Sequence, residues 1–298
     1  MLSSDQPVLR RIEMKRTKTY QQDNPLYLVA TPIGNLKEIS SRAMDVLTNA
    51  DVIACEDTRN TKNLLSMYNI RFPRMLSLRE HNEVMMSEKI IELIKEGQKV
   101  CYVSDAGYPA ISDPGKILVQ KVREAGLSVT TISGSNAFLT ALTASSLASD
   151  HFYFFGFLNA VDNKARNELE SLKNITATLL FYESPHRIKR TLNLLFEILG
   201  NRKVSLAREL TKINEEFIEG TLEELVQVDE STIIGEIVVV VEGANENESS
   251  IDDNAIIKRG KELLKKNIST RDVSDILAYE FKVNKNYVYK LLIERGKD

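Results

Sequence analysis

From residue 26 to residue 147 short apolar runs alternate with longer amphipathic ones, and nearly every apolar run stops at a loop of Gly, Pro, Ser or charged residues. No other feature constrains the fold as much. Strands separated by helical crossovers pair in parallel, and a parallel sheet needs helices on both faces. The runs 26–31, 51–55, 75–78, 100–103 and 127–132 read as strands. The stretches 60–67, 83–96, 116–125 and 137–147 read as helices, with another capped by Ser40 or Ser41 that buries Ala43, Val46 and Leu47. Parallel strands place their C-terminal loops on one edge, where open α/β sheets bind ligands. The fullest of those loops is Ser104-Asp105-Ala106-Gly107, which passes Pro109 to a second turn at Asp113-Pro114-Gly115.

The second half has a different rhythm. Runs 151–157, 177–182, 204–207, 216–219 and 233–241 read as strands in close succession, with helices at 165–172 and 222–226. Another helix reaches Leu199, and Pro185 sits near its first position. Closely spaced strands predict a mixed sheet. The expected fold is α/β: a parallel-sheet N-terminal domain, a mixed-sheet second domain and a small C-terminal helical module. The expected spans are a flexible tail at 1–24, a first domain at 25–140, a second at 141–244, and a linker with the helical module at 245–298. In that module, helices at 254–266 and 273–294, the latter broken at 283–285, have a helix-turn-helix layout. Tyr287 and Tyr289 stand there beside Lys285 and Lys290. Such a module either packs as an appendage or contacts RNA.

Several function classes fall away. No apolar run approaches the roughly 20 residues of a membrane helix. Residues 1–24 carry basic side chains without an apolar segment, so they do not read as a secretory signal, and Met14 is a second candidate start. Cys55 and Cys101 lie inside strand-like runs and read as free buried thiols of a cytoplasmic protein. His81, His151 and His186 are too far apart to suggest a metal site. Phosphate-cradling glycine motifs and a nucleophile elbow are absent from the sequence. The net charge is −3, yet residues 251–298 hold 11 Lys and Arg against 8 Asp and Glu, which suits a local nucleic-acid contact. What remains is a set of strand-end loops rich in small residues and backbone donors. They are either simple turns or a site recognising its ligand mostly through main chain, a profile that S-adenosylmethionine fits.

Six segments then occur in order: Thr31-Pro32-Ile33-Gly34-Asn35-Leu36, Glu56-Asp57-Thr58-Arg59, the loop at 104–115, Tyr182-Glu183-Ser184-Pro185-His186-Arg187, Ala207-Arg208-Glu209-Leu210-Thr211-Lys212 and Val241-Glu242-Gly243. Over roughly residues 25–295 the chain resembles the tetrapyrrole-methylase superfamily, and within it the branch acting on small-subunit ribosomal RNA. The resemblance implies two α/β domains of that type, usually in a homodimer, with S-adenosylmethionine in the cleft between domains. It also implies 2′-O-methylation of a cytidine in the decoding region of 16S rRNA, with no metal. Where the family usually reads Pro-Gly-Pro-Ser-Ala, this chain has Ser133-Gly134-Ser135-Asn136-Ala137, so a more mobile loop is expected there.

With that resemblance in place, Asp105, Ala106 and Gly107 are assigned to the cofactor, with Gly34, Ser133, Gly134, Tyr182 and Ala207 as pocket wall. Arg59, Arg187, Arg208 and Lys212 each follow a strand and suit RNA phosphates. A ribose hydroxyl is a weak acid, so a base should assist. Glu183 is the first choice, with Glu56 and Glu209 as rivals; His186 reads as a helix-start residue. Two other readings stay open: a methylase of a small tetrapyrrole-like substrate, and a non-catalytic RNA-binding relative.

Overall fold

The computed structural model describes residues 25–245, 253–266, 268–281, 283 and 285–295. The tail expected at 1–24 and most of the linker after Val241 lie outside the described residues. The chain divides into two compact units, one formed by the residues up to Thr140 together with Leu210–Ile213, the other by Ala141–Glu209 and the chain from Asn214 onward.

In the first unit five short apolar runs become β1 (Leu26–Val29), β2 (Val52–Cys55), β3 (Arg74–Ser77), β4 (Val100–Val103) and β5 (Val129–Ile132), all parallel, in the order β3-β2-β4-β1-β5. Between them run α1 (Ser41–Thr48), α2 (Thr58–Met67), α3 (Glu83–Lys95) and α4 (Lys116–Glu124), and α5 (Ala137–Ala144) follows β5. Successive strand residues serve opposite faces. Val29, Ile53, Cys55, Cys101 and Val103 pack with Ala43, Leu47 and Leu65 of α1 and α2. Leu26, Leu28, Ala54, Val100 and Tyr102 pack with Ile90, Leu93, Leu118 and Val122 of α3 and α4. The chain therefore leaves β1 over one face and β4 over the other, and these two strands are neighbours. A crevice opens at such a switch point, outside the C-terminal strand ends.

Local chemistry sets the boundaries. Ser40 is the cap of α1, its Oγ accepting from the Ala43 N–H at 3.2 Å. α2 begins two residues before the expected Asn60 because Asp57 caps it, accepting from the Arg59 N–H at 2.8 Å. α5 stops at Ala144, short of the expected Leu147, with Ser146 at φ 57°.

The second unit holds β6 (Phe152–Phe157), α6 (Asp162–Leu172), β7 (Thr178–Glu183), α7 (Ile188–Leu199), β8 (Lys203–Arg208), β9 (Glu216–Thr221), α8 (Leu222–Leu225) and β10 (Ile237–Val241). Its sheet is mixed as expected, in the order β6-β7-β10-β8-β9, with only β6 and β7 parallel. Leu179, Phe181, Leu206 and Val239 face Leu169 of α6 and Leu192 and Leu195 of α7. Two expectations need correction. Pro185 does not open α7: residues 184–187 form a turn closed by the Arg187 N–H to Ser184 O bond at 3.0 Å, and the helix starts at Ile188. The strand expected over 233–241 begins only at Ile237, because Gly235 at φ 88° turns the chain first.

The C-terminal helices are α9 (Asp253–Leu264), α10 (Thr270–Glu280) and α11 (Lys285–Arg295). They share a core of their own built on Ile256, Val273, Leu277, Val288 and Leu292. The Ser269 hydroxyl starts α10 by accepting from the Asp272 N–H at 3.2 Å. Among the described residues no helix is long and apolar enough to cross a membrane.

Candidate functional site

Three loops meet at the switch point of the first unit. The loop after β1 and the loop after β4 are joined backbone to backbone, Thr31 N–H to Gly107 O at 2.9 Å and Gly107 N–H to Thr31 O at 3.1 Å. Gly107 adopts φ 71°, a conformation that costs an L side chain energy. The Ser104 hydroxyl, buried beneath, donates toward the carbonyls of Ala106 (3.2 Å) and Gly107 (3.4 Å). The loop after β5 joins them when the Gly134 N–H donates to the Tyr108 hydroxyl at 3.1 Å. So Gly34, Asp105, Ala106, Gly107, Ser133 and Gly134 stand on one edge.

Gly34 has no room for a side chain and Gly134 has little. A Cβ at residue 34 would lie 2.5 Å from Lys212 Cγ and 2.8 Å from Thr211 Oγ1, and the Asn35 N–H donates to that same Thr211 hydroxyl at 3.0 Å. Lys212, expected to meet RNA, thus lies with its aliphatic stem over the Gly34 turn. At residue 134 a Cβ would press on Ala30 at 3.0 Å. In the loop at 133–137, where the family's prolines are missing, side chains supply hydrogen bonds. Ser135 Oγ donates to Glu38 at 3.0 Å, and Asn136 Oδ1 accepts from the Leu139 N–H at 2.9 Å.

The edge is acidic. Asp105 is exposed and accepts from Asn60 Nδ2 of α2 at 2.8 Å, rather than capping its own turn. Glu56, half-buried at the end of β2, has its pKa raised by burial and then by the charge of Asp105. Asp113 is pushed up to about 6, chiefly by burial and by Glu56, against a Ser104 hydrogen bond that lowers it. Neither Glu56 nor Asp113 is ionised for free, and a bound cation would relieve both. Beside them Arg59 is 85% exposed and forks onto Asp57, with Nη2 to Oδ2 at 2.7 Å, holding that carboxyl well below the usual range.

This donor set fits the cofactor that the resemblance implies. A methyl donor with a positively charged sulfur suits an edge carrying three carboxylates, and its adenosine suits glycine-lined main chain. Among the described residues no group of His, Cys, Asp and Glu has the geometry of a metal site.

The remaining expected residues lie in the second unit. Glu183, first choice for a base, is enclosed: its oxygens accept from the Ser184 N–H (2.8 Å) and Thr191 Oγ1 (2.5 Å), and Oε1 faces Arg187 Nε at 3.1 Å. That carboxylate braces the 184–187 turn and presents no face to a substrate hydroxyl. Arg187 is committed to it and to Leu158 O at 2.6 Å. Arg208 pairs with Glu216 at 2.5 Å and donates to Ile234 O at 3.3 Å. Glu209 sits at φ 51° and accepts from the Glu236 N–H at 3.2 Å. Tyr182 rests edge-on to Phe154, ring centres 5.0 Å apart, with Phe157 at 5.5 Å, and Ala207 is fully buried between Val238 and Phe217.

Three features of the candidate site escaped the sequence. Asn60 carries no motif, and only the fold brings it to Asp105 across 45 residues. Asp113 looked like a turn residue, whereas its environment gives it a shifted pKa. Glu83, 4% exposed, reaches the far end of the 104–115 loop from α3.

Comparison with known proteins agrees with this architecture. The family model for tetrapyrrole (corrin/porphyrin) methylases matches residues 25–226. Ribosomal RNA small subunit methyltransferase I of Halalkalibacterium halodurans is 50% identical over 237 residues, covering 78% of this chain and 82% of its own. Its counterpart in Bacillus subtilis is 48% identical over 224 residues, 75% and 76% of the two chains, and that of Vibrio cholerae 39% over 287 residues, 94% and 99%. Two solved structures share the fold: the methyltransferase CobJ (TM-score 0.57, 17% identity, 74% of this chain and 95% of that one) and uroporphyrin-III-C-methyltransferase from Thermus thermophilus (0.53, 19%, 72% and 93%). The chain belongs to the tetrapyrrole methylase family, in the branch of ribosomal RNA small subunit methyltransferase I.

Proposed function

We propose that this chain transfers a methyl group from S-adenosylmethionine to the ribose 2′-hydroxyl of a cytidine in the decoding region of 16S rRNA. The observation that carries the reading is the junction of the β1 and β4 loops through Thr31 and Gly107, at the switch point of a parallel sheet whose relatives are named as ribosomal RNA methyltransferases. The cofactor, when bound, supplies an electrophilic methyl on a cationic sulfur. Asp105 and the main chain of Ala106, Gly107 and Gly134 hold it, and the acidic edge complements its charge. Positioning and exclusion of water supply most of the catalysis in such a displacement.

For the proton of the ribose hydroxyl we favour Glu56 over Glu183 and Glu209. It is half-buried at the acidic edge with a raised pKa, which suits a general base, while Glu183 has no accessible oxygen. Arg59, exposed and oriented by Asp57, is the best placed of the expected RNA contacts, with Lys212 as a further contact. The working form is a cytoplasmic homodimer acting on the small ribosomal subunit or its RNA. The test is mass mapping of ribose methylation on 16S rRNA from cells lacking the gene, before and after complementation. A methyl group absent in the mutant and restored by the gene supports the reading; an unchanged map overturns it. Methylation of a tetrapyrrole with an unchanged RNA map would favour the small-molecule alternative.

A further inference from the structure

We propose that Glu83, at the start of α3, is a positioning residue that sets how well the 104–115 loop receives the methyl donor. The proposal rests on the reading of that loop as the cofactor loop.

A helix leaves its first N–H groups without internal partners, and a side chain at the cap normally accepts one of them. α4 has none of its own, because its cap is Gly115 at φ 130°. That residue has to be glycine: a Cβ there would lie 2.7 Å from Cε1 of Tyr102. The missing acceptor comes from 32 residues upstream. Glu83 Oε1 accepts from the Gly115 N–H at 2.9 Å and from the Leu118 N–H at 3.0 Å, in an enclosed setting. Next to it the buried Tyr102 hydroxyl donates to Pro114 O at 2.7 Å. Two enclosed side chains therefore fix the far end of the loop, while Ser104 and the Thr31–Gly107 bridge fix the near end.

What lies between them is strained backbone, closed by the Ala110 N–H to Pro114 O bond at 3.1 Å. Gly107, Ala110, Ser112 and Gly115 all have positive φ, and two of these carry side chains. Such conformations persist only where the surroundings over-determine them. Beside Glu83, Asn82 Oδ1 accepts from the Arg79 N–H at 2.8 Å, and Arg79 Nε donates to Glu56 O at 3.2 Å. Asn82 Nδ2 donates to Ser77 O at 3.2 Å, and Ser77 Oγ donates to the same Glu56 carbonyl at 3.3 Å. The start of α3 thus carries two sets of bonds on adjacent residues, Asn82 to the ends of β2 and β3 and Glu83 to the start of α4.

The test uses the full chain, S-adenosylhomocysteine as calorimetric probe, and methylation of small subunits from cells lacking the gene. In Glu83→Ala the S-adenosylhomocysteine Kd and the S-adenosylmethionine KM rise by about tenfold, while kcat at saturating cofactor stays within about twofold. Glu83→Gln keeps an acceptor oxygen and restores most of the affinity. An unchanged Kd in Glu83→Ala, or kcat falling with no change in KM, overturns the proposal. Should Glu83→Ala fail to fold, Tyr102→Phe decides: weakening by about threefold or more supports the brace, and unchanged affinity overturns it. Wild-type protein that binds no S-adenosylhomocysteine overturns the methyl-donor reading itself, whereas wild-type binding with an indifferent Glu83→Ala overturns only the role of Glu83.

Discussion

Glu183 and Asp105 are both acidic and both end a strand or open its loop, yet their surroundings give them opposite duties. Glu183 is sealed against Arg187, Thr191 and the Ser184 N–H, so its removal should be felt in stability. Glu183→Gln loses the charge that a partly exposed Arg187 faces, and should cost about 1–3 kcal/mol, read as a lowered midpoint in chemical unfolding. Asp105 is exposed and its one described partner is Asn60. Asp105→Ala should leave the unfolding midpoint within about 0.5 kcal/mol of wild type. It should also abolish calorimetric binding of S-adenosylhomocysteine; retained binding would remove Asp105 from the site. Arg59→Ala should weaken RNA binding at low salt while cofactor affinity holds, because the exposed guanidinium touches only Asp57 among its described contacts. Full methylation of small subunits by that variant would reduce Arg59 to a solvated charge.

At the scale of elements, the loop between β4 and α4 should make binding depend on pH. Asp113 is raised to about 6, so its neutral form is favoured on folding. Its contribution to stability is complete below the unfolded value near 4 and is lost as pH rises through about 6. The same ionisation adds negative charge to the edge. Affinity for a cationic methyl donor should therefore rise between pH 5 and pH 7, and Asp113→Asn should flatten that rise; a rise unaltered in the variant would place its origin elsewhere. The strands and helices around this loop were legible because each strand is a continuous or alternating apolar run and each helix an amphipathic one. Their contacts were not. The bond from Glu83 to Gly115 joins residues with no local pattern between them, and Asn60 meets Asp105 only because α2 and the β4 loop end on the same edge. The ion pair of Glu183 with Arg187 forms across the turn from β7 to α7, where helical spacing gives no signal.

For the molecule as a whole, the order of elements in the sequence predicted the two kinds of sheet, since alternation with helices demands parallel pairing and close succession of strands permits antiparallel neighbours. Methylation mapping of 16S rRNA remains the measurement that joins this architecture to its reaction. The membership of Leu210–Ile213 in the first unit has a consequence for synthesis. Chains emerge N-terminus first and domains tend to fold as they appear. The five parallel strands can pair once Ile132 has emerged, but the Gly34 turn cannot acquire Thr211 and Lys212 until residues far downstream have been made. A nascent chain thus carries a formed sheet with an unfinished rim, and the rim closes only when translation has passed Ile213.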